Sequence, residues 1–385
     1  MKVVILTGNR YPHGDAGALR QHSVAKALYS VGHDVVVLGY GDSTNGRVGV
    51  FDDIPYVSFR PKTNNILIRA LYRYFFVDRA LAYLFKKNSN VDAIIAIDFF
   101  PKDFKKIVKA SKRYNAILIH DSVEWYSPEE FSDGEKNRDY LNKEYTNTVA
   151  IDNNWRVIAI STYLEHHFAQ RCQMTVRIPV ILDVAKIDYR IDINENEEKI
   201  KIAYVGSPGK KDYLKNILEG VELVSNEMLK NVEFNVVGVS DEQLKSVCGA
   251  KKETLEKLEG VLHAHGRLPH DKAVEFVRNS DFTVLLRDES LRYAKAGFPT
   301  KIVESLSCGT PPICNLSSDL GMYLNDGENA IISNGHSPIE AKSAIERALS
   351  LTADERKKMR IEARKTAEQH FDYRNYISKI ENLLK

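Results

Sequence analysis

Short, unbroken runs of Val, Ile, Leu and Ala recur along the chain, each ending in a glycine or polar loop with a helix-length segment behind it. KVVILTG opens the series, and HDVVVLGY, VDAIIAID, NAILIH and RVIAIS continue it. Runs without polar alternation need cover on both faces, which is the condition of strands in a parallel sheet between helices. The first intervening segment, ALRQHSVAKALYSVG, puts Ala18, Val24, Ala25, Leu28 and Val31 on or near one side and closes at Gly32. The rhythm breaks at residues 187–199, IDYRIDINENEEK, which read as a linker. It resumes with KIKIAYVG, VEFNVVG, DFTVLLR and PPICN. A length of 385 residues suits two such domains. The expected architecture is α/β: two doubly wound parallel-sheet domains, 1–183 and 184–365, facing a central cleft. A charged helical tail, 366–385, is expected to pack back on the first domain. Ligands of open α/β sheets bind at the C-terminal strand ends. The irregular loops lie there: 13–17, Asp98, 120–124, 206–212, 266–268 and 287–300.

Composition narrows the function. The formal net charge is only +2, which gives no whole-chain case for nucleic acid. Cys172, Cys248, Cys308 and Cys314 form no C-x-x-C pair and have no histidine at zinc spacing, so reduced thiols and a cytoplasmic setting are expected. The N-terminal apolar run is too short for a signal peptide. No run approaches the ~18 apolar residues of a membrane span.

The segment AGFPTKIVESLSCGTPPICN carries the strongest site signal. Pro299 suits a first helical turn, Gly309 a C-terminal cap, and Pro311 and Pro312 prevent continuation. Ile302, Val303 and Leu306 form a docking side, while Lys301, Glu304 and Cys308 share the opposite one. The N–H groups of Thr300, Lys301 and Ile302 make an anion site. Glu304 follows about one turn, roughly 5 Å, further along. That is the layout of a nucleoside diphosphate, with phosphates on the amides and ribose hydroxyls on Glu304. A surface Lys–Glu pair on a short helix is the plainer alternative.

With its neighbours, this segment resembles the donor motif of the retaining glycosyltransferases of family 4, which have the GT-B fold of two Rossmann-like domains. PHGDAGALRQHSVAKALYSVGHDVVVL is similar to that family's N-terminal glycine loop and helix. VIAISTYLEHHF, KIAYVGSPGKKD and AHGRLPHDKAVEFVRNSDFTVLLR resemble later segments in the expected order. The resemblance implies a donor site of Gly14, Gly17, Ser207, Lys210, Lys211, Arg267, Leu268, Pro299, Thr300, Lys301 and Glu304. Arg267 and Leu268 would cradle the nucleobase, and Lys211, with Lys210 beside it, would stabilise the leaving diphosphate. Ser207 stands where the family often has arginine. Among Arg287, Arg292 and Lys295, Arg292 is the favoured replacement cation. Ala296 stands where the family often has a first glutamate facing the donor sugar, which puts sugar recognition in question. His120 would lie near the reacting carbon, and Asp98, Asp121 and Glu124 would serve the acceptor. Trp125 fits an acceptor-stacking role or a half-buried one. Catalysis is thus expected from His120, Lys211 and Arg292, with no cofactor. No D-x-D occurs in the chain, so no metal is expected. The donor would be a UDP- or GDP-sugar, and the acceptor a glycan or lipid-linked sugar of a surface polysaccharide.

Rival readings are a sugar phosphorylase or UDP-sugar 2-epimerase on the same fold, a dinucleotide oxidoreductase, and a non-catalytic nucleotide-sugar-binding protein. The glycine spacing at Gly14 and Gly17 is not G-x-G-x-x-G, which counts against the oxidoreductase. Residues 60–113 hold thirteen basic and four acidic side chains. There ILIRALYRYFFVDRALAYLFKK interleaves cations with aromatics. That pattern suits peripheral contact with an anionic membrane, or else core aromatics beside solvated cations.

Overall fold

Eight strands form the first sheet: β1 (Lys2–Thr7), β2 (Asp34–Gly39), β3 (Val48–Phe51), β4 (Ile54–Ser58), β5 (Ala93–Ile97), β6 (Ile117–Ser122), β7 (Arg156–Ala159) and β8 (Met174–Arg177). Their order is β3-β4-β2-β1-β5-β6-β7-β8. Six strands form the second: β9 (Ile200–Val205), β10 (Val232–Val237), β11 (Leu262–Ala264), β12 (Phe282–Leu285), β13 (Pro312–Cys314) and β14 (Ile331–Ile332). Their order is β11-β10-β9-β12-β13-β14. This is a computed structural model, and it describes residues 1–385 apart from 15, 42–47, 88–89, 98, 192–198 and 208–210. Asp98 and Lys210, and part of the expected linker, lie outside the described residues.

The chain divides into two compact units. The first comprises Met1–Pro128, Asp133–Asp183 and Tyr373–Lys385, and the second Glu129–Ser132 and Val184–Asp372. The charged tail is not one helix. A helix spans Ala353–His370, and a second begins at Ile377. In the first unit Tyr376, Ile380 and Leu383 pack in one core with Val3, Ile5 and Val35.

One strand departs from the all-parallel reading. β3 pairs antiparallel with β4. The two join through Asp52 and Asp53, at φ +50° and +67°. Two adjacent residues at positive φ match the tight hairpin turn that follows strand twist.

Both sheets have a point where chain direction across the sheet reverses. In the first, β1 leads outward to β2 on one side and has β5 on the other. In the second, β9 stands between β10 and β12 in the same way. Reversal leaves a crevice at the C-terminal strand ends.

The helix Thr300–Ser307 is anchored from behind. Arg360 and Arg364 are buried one turn apart on the helix Ala353–His370. Arg360 donates to the carbonyls of Arg190, Ser280 and Arg278 at 2.6–2.9 Å. Arg364 donates to those of Val184, Ile187 and Ser307. Ser307 ends the Thr300 helix, where a cation complements the negative dipole end.

Candidate functional site

At the reversal point of the second sheet, glycines hold the strand ends close. The Gly238 N–H donates to the Gly266 carbonyl at 2.8 Å, and the Gly206 N–H to that of Val237 at 2.8 Å. Gly206 has φ +134°, and a Cβ there would meet the Lys301 side chain at 2.3 Å. Only glycine lets Lys301 pass.

Lys301 uses that passage to reach Asp212. It pairs with the Asp212 carboxylate and donates to the Tyr204 hydroxyl at 2.8 Å. Tyr204 in turn donates to Asp212 at 2.9 Å, and Arg287 Nε donates to the other carboxylate oxygen at 3.1 Å. Burial opposes the charge on Asp212, but Lys301 and Arg287 outweigh it and hold the carboxyl below its usual range. Burial pushes the Tyr204 phenol well above its usual range, which keeps it a donor. One carboxylate between two cations leaves a local charge of +1. The plainer alternative, a surface Lys301–Glu304 pair, is not what forms, because the Lys301 ammonium pairs with Asp212.

The Thr300 helix begins beside this cluster, with Pro299 as a cap that makes no side-chain hydrogen bond. Ile302 N–H already donates to the Pro299 carbonyl at 3.1 Å. The first-turn donors without an acceptor among the described residues are therefore Thr300 and Lys301, two rather than three. Glu304 follows, and His270 Nε2 lies 2.9 Å from its Oε1. That hydrogen bond to Glu304 raises the His270 pKa, although burial opposes it. The charge on His270 that completes the pair is present below that raised value and is lost as pH rises through it. His270 begins the helix after the loop of Arg267, which is exposed, and Leu268, which is half-buried. The sequence signal for His270 is its place just after that loop.

Lys211 is near the same strand end. Its ammonium lies 3.4 Å from Glu130, which belongs to this unit, and its carbonyl accepts from the Tyr293 hydroxyl at 2.9 Å. Ser207 is exposed. Arg292 is half-buried at the start of a short helix whose Ala296 is fully buried. The second unit thus gathers Ser207, Lys211, Arg267, Leu268, Pro299, Thr300, Lys301 and Glu304 around adjoining strand ends.

The first unit has its own crevice at the β1/β5 reversal. A cavity of about 250 Å³ is lined by Gly8 and Asn9 beyond β1, Phe99 and Phe100 beyond β5, and Arg73 and Lys143. Asp103 and Asp139 line it too, so aromatic faces, two cations, two carboxylates and amide groups suit a polar ring bearing hydroxyls. Gly14 and Gly17 lie before and in the first turn of the helix Ala16–Tyr29. A Cβ at Gly14 would strike the Arg10 carbonyl at 2.3 Å, so the chain itself requires glycine there.

Two site expectations are corrected in this unit. β6 continues through Ser122, so His120 and Asp121 lie within the sheet and not on a loop. His120 is buried with its ring about 6.3 Å from those of Phe104, Trp155 and Phe168, and its Nδ1 is 3.1 Å from the Ala96 carbonyl. Asp121 is a buried partner of Arg20, which contacts both its oxygens at 2.9–3.1 Å and also reaches the Ile178 and Pro179 carbonyls. Asp121 thus serves the packing of the Ala16–Tyr29 helix on the sheet, and His120 the aromatic core around Phe104, Trp155 and Phe168. Glu124 is half-buried, and its carbonyl accepts from Asn147 at 3.3 Å. Trp125 is buried and donates to Glu144 at 2.9 Å, which favours the structural role over stacking on a ligand.

Among the described residues, one group offers three metal-ligating side chains: Asp288, Glu289 and His336, with ligand atoms within 4.8 Å of one another. Ser290 donates to Asp288 and Asn315 to Glu289.

Comparison with solved structures places this architecture. Sucrose-phosphate synthase from Thermosynechococcus elongatus superposes with a TM-score of 0.75 at 15% identity, over 100% of this chain and 98% of that one. Anabaena HepE, solved with UDP and glucose, gives 0.69 at 16% identity, over 100% and 99%. The fold is GT-B. Residues 185–366 of this GT-B chain match the family of glycosyl transferases group 1. An uncharacterized glycosyltransferase of Methanocaldococcus jannaschii is 23% identical over 198 residues, 49% of this chain and 48% of that protein. The match thus spans about half the length of that relative.

Proposed function

We propose that the protein is a retaining, metal-independent glycosyltransferase of the family 4 type. It would move a sugar from a nucleotide-diphospho-sugar to a glycan or lipid-linked acceptor in surface-polysaccharide synthesis. The observation that carries the reading is the Asp212–Lys301–Arg287 cluster, with its surplus positive charge, beside the two unaccepted N–H groups of the Thr300 helix. Cleavage of a glycosyl–phosphate bond builds negative charge on the leaving diphosphate. A site pre-arranged for that charge stabilises the transition state more than the ground state. The bond between the anomeric carbon and the diphosphate oxygen breaks, and an acceptor hydroxyl oxygen bonds that carbon from the same face. The hydroxyl proton passes to the departing diphosphate, so no separate base is required. The acceptor would use the crevice lined by Phe99, Phe100, Arg73 and Lys143. HepE, of like fold, was solved with UDP, which supports a uridine donor as the first to test.

Calorimetry with UDP, GDP and ADP tests donor binding, and transfer assays with the matching sugars test the reaction. Binding of none of the three would sink the reading. Glu304→Ala should weaken nucleoside diphosphate binding by about 1.5–3 kcal/mol, the scale of a charged hydrogen bond. Unchanged affinity would mean that the ribose lies elsewhere.

Transfer should also survive excess EDTA after metal stripping. The motivation is the cationic cluster and helix end standing in for a metal, together with the absent D-x-D. Activity lost to EDTA and restored by magnesium or manganese would overturn this, and Asp288, Glu289 and His336 would become the first ligands to mutate.

A further inference from the structure

The basic, aromatic stretch of the first unit separates into two helices of opposite character. The helix Phe76–Lys86 is core, with Phe76, Val77, Ala80, Leu81 and Leu84 buried. The helix Ile66–Tyr74 buries none of its residues. Its apolar side chains face outward: Leu67 is 79% exposed, Leu71 55% and Tyr74 45%, at i, i+4 and i+7 on one side, with Ile66 at 78% beside them. A nine-residue helix in water is not stable through propensity alone. This one is fixed locally: Asn65 caps it by accepting from Leu67 and Ile68, and Arg69 ties it to Thr63 and Asn64. It therefore holds an apolar face open.

Cations frame that face. The helix Pro101–Tyr114 buries Phe104, Ile107 and Ala110 and places Lys102, Lys105, Lys109 and Lys112 at i, i+3, i+7 and i+10 along its other side. Lys102 joins the two helices by donating to the Tyr74 carbonyl at 2.5 Å while lying over the Tyr74 ring. On another flank a cavity of about 750 Å³ is lined by Ile68, Tyr72, Arg60, Lys62, Arg79 and Lys86, with no carboxylate among the described residues of its wall. Among the described residues no helix is long and apolar enough to cross a membrane.

We propose that the first unit docks on an anionic lipid surface, with Leu67, Leu71 and Tyr74 entering the headgroup boundary and the Lys105–Lys109 stripe and the Arg60–Lys62 cavity holding lipid phosphates. Charge complementarity selects the partner: an apolar patch with Lys102 at one end and a cation-lined cavity on another flank, in a segment of thirteen basic and four acidic residues, matches a negative bilayer. The inference deepens the proposed function, since a lipid-linked acceptor would be met at such a surface. It does not depend on turnover.

The test is co-sedimentation of the full chain, without donor, with phosphatidylcholine vesicles and with vesicles containing phosphatidylglycerol. Binding should require phosphatidylglycerol and weaken with salt. Lys105→Gln/Lys109→Gln should lower partitioning about 30-fold, from about 1 kcal/mol per basic residue. Leu67→Glu/Leu71→Glu should abolish it. These side chains are exposed, so nucleoside diphosphate binding by calorimetry should be unchanged in both variants. Arg69 and Arg73 are poorer probes, because Arg69 braces the helix and Arg73 lies over Tyr40. Equal binding to neutral vesicles, or none at low salt, overturns the proposal. So does self-association that the leucine variant disrupts without any vesicle binding. Vesicle binding without donor binding would instead sink the transferase reading alone.

Discussion

Asp212→Ala should lower the stability of the second domain by about 3 kcal/mol and abolish nucleotide binding with it. The substitution leaves Lys301 and Arg287 facing one another around Tyr204, an uncompensated charge of the kind that costs roughly 3–5 kcal/mol when buried. The low end applies because Lys301 keeps 26% and Arg287 14% of side-chain exposure. For a domain of this size that is about 6–12 °C in Tm. Scanning calorimetry across pH adds a signature. A carboxyl held below its usual range contributes fully above pH about 4 and loses that contribution as pH falls through the depressed value. The difference between wild type and Asp212→Ala should therefore shrink in acid. A Tm unchanged at neutral pH would mean that the cluster does not hold the domain together.

Lys211→Ala should lower kcat by about 100- to 1,000-fold, the usual cost of one donor at a developing oxyanion. Its ammonium, 3.4 Å from Glu130, is ion-paired and only partly exposed. If Lys211 meets the leaving diphosphate, it helps most as charge grows there, so kcat and kcat/KM should fall together. A variant altered only in KM would assign Lys211 to ground-state binding. Glu130→Gln is the companion: releasing Lys211 from its partner should change donor affinity far less than loss of the ammonium changes turnover.

The parallel strands were legible because a strand covered on both faces leaves an unbroken apolar run. The β3–β4 hairpin was not. Val48 and Val50 are 66% and 68% exposed, and the turn is Asp-Asp where a glycine usually signals it. In the site, the Thr300 helix was legible from its local punctuation by Pro299 and Gly309. The Asp212 cluster was not, because its cations lie 75 and 89 residues away, a pairing only the fold supplies. His120 and Asp121 were misplaced because the strand runs past them to Ser122. One signal was available: Arg20, Val24 and Leu28 share a helix side, and a charge on an apolar side needs a buried partner.

The grip of Arg360 and Arg364 has a consequence for divergence. Six of their acceptors are main-chain carbonyls, of Val184, Ile187, Arg190, Arg278, Ser280 and Ser307. A carbonyl is supplied by any residue, so the identities at those six positions carry little of the constraint. Nearly all of it falls on two side chains four residues apart. Such an arrangement concentrates sequence information: drift at the acceptors is silent, while either arginine lost leaves three carbonyls to find new donors. In a distant relative of this domain, an Arg-x-x-x-Arg pair on the last long helix should outlast the sequences it holds, and an alignment anchored on that pair should find the register where the surrounding residues no longer do.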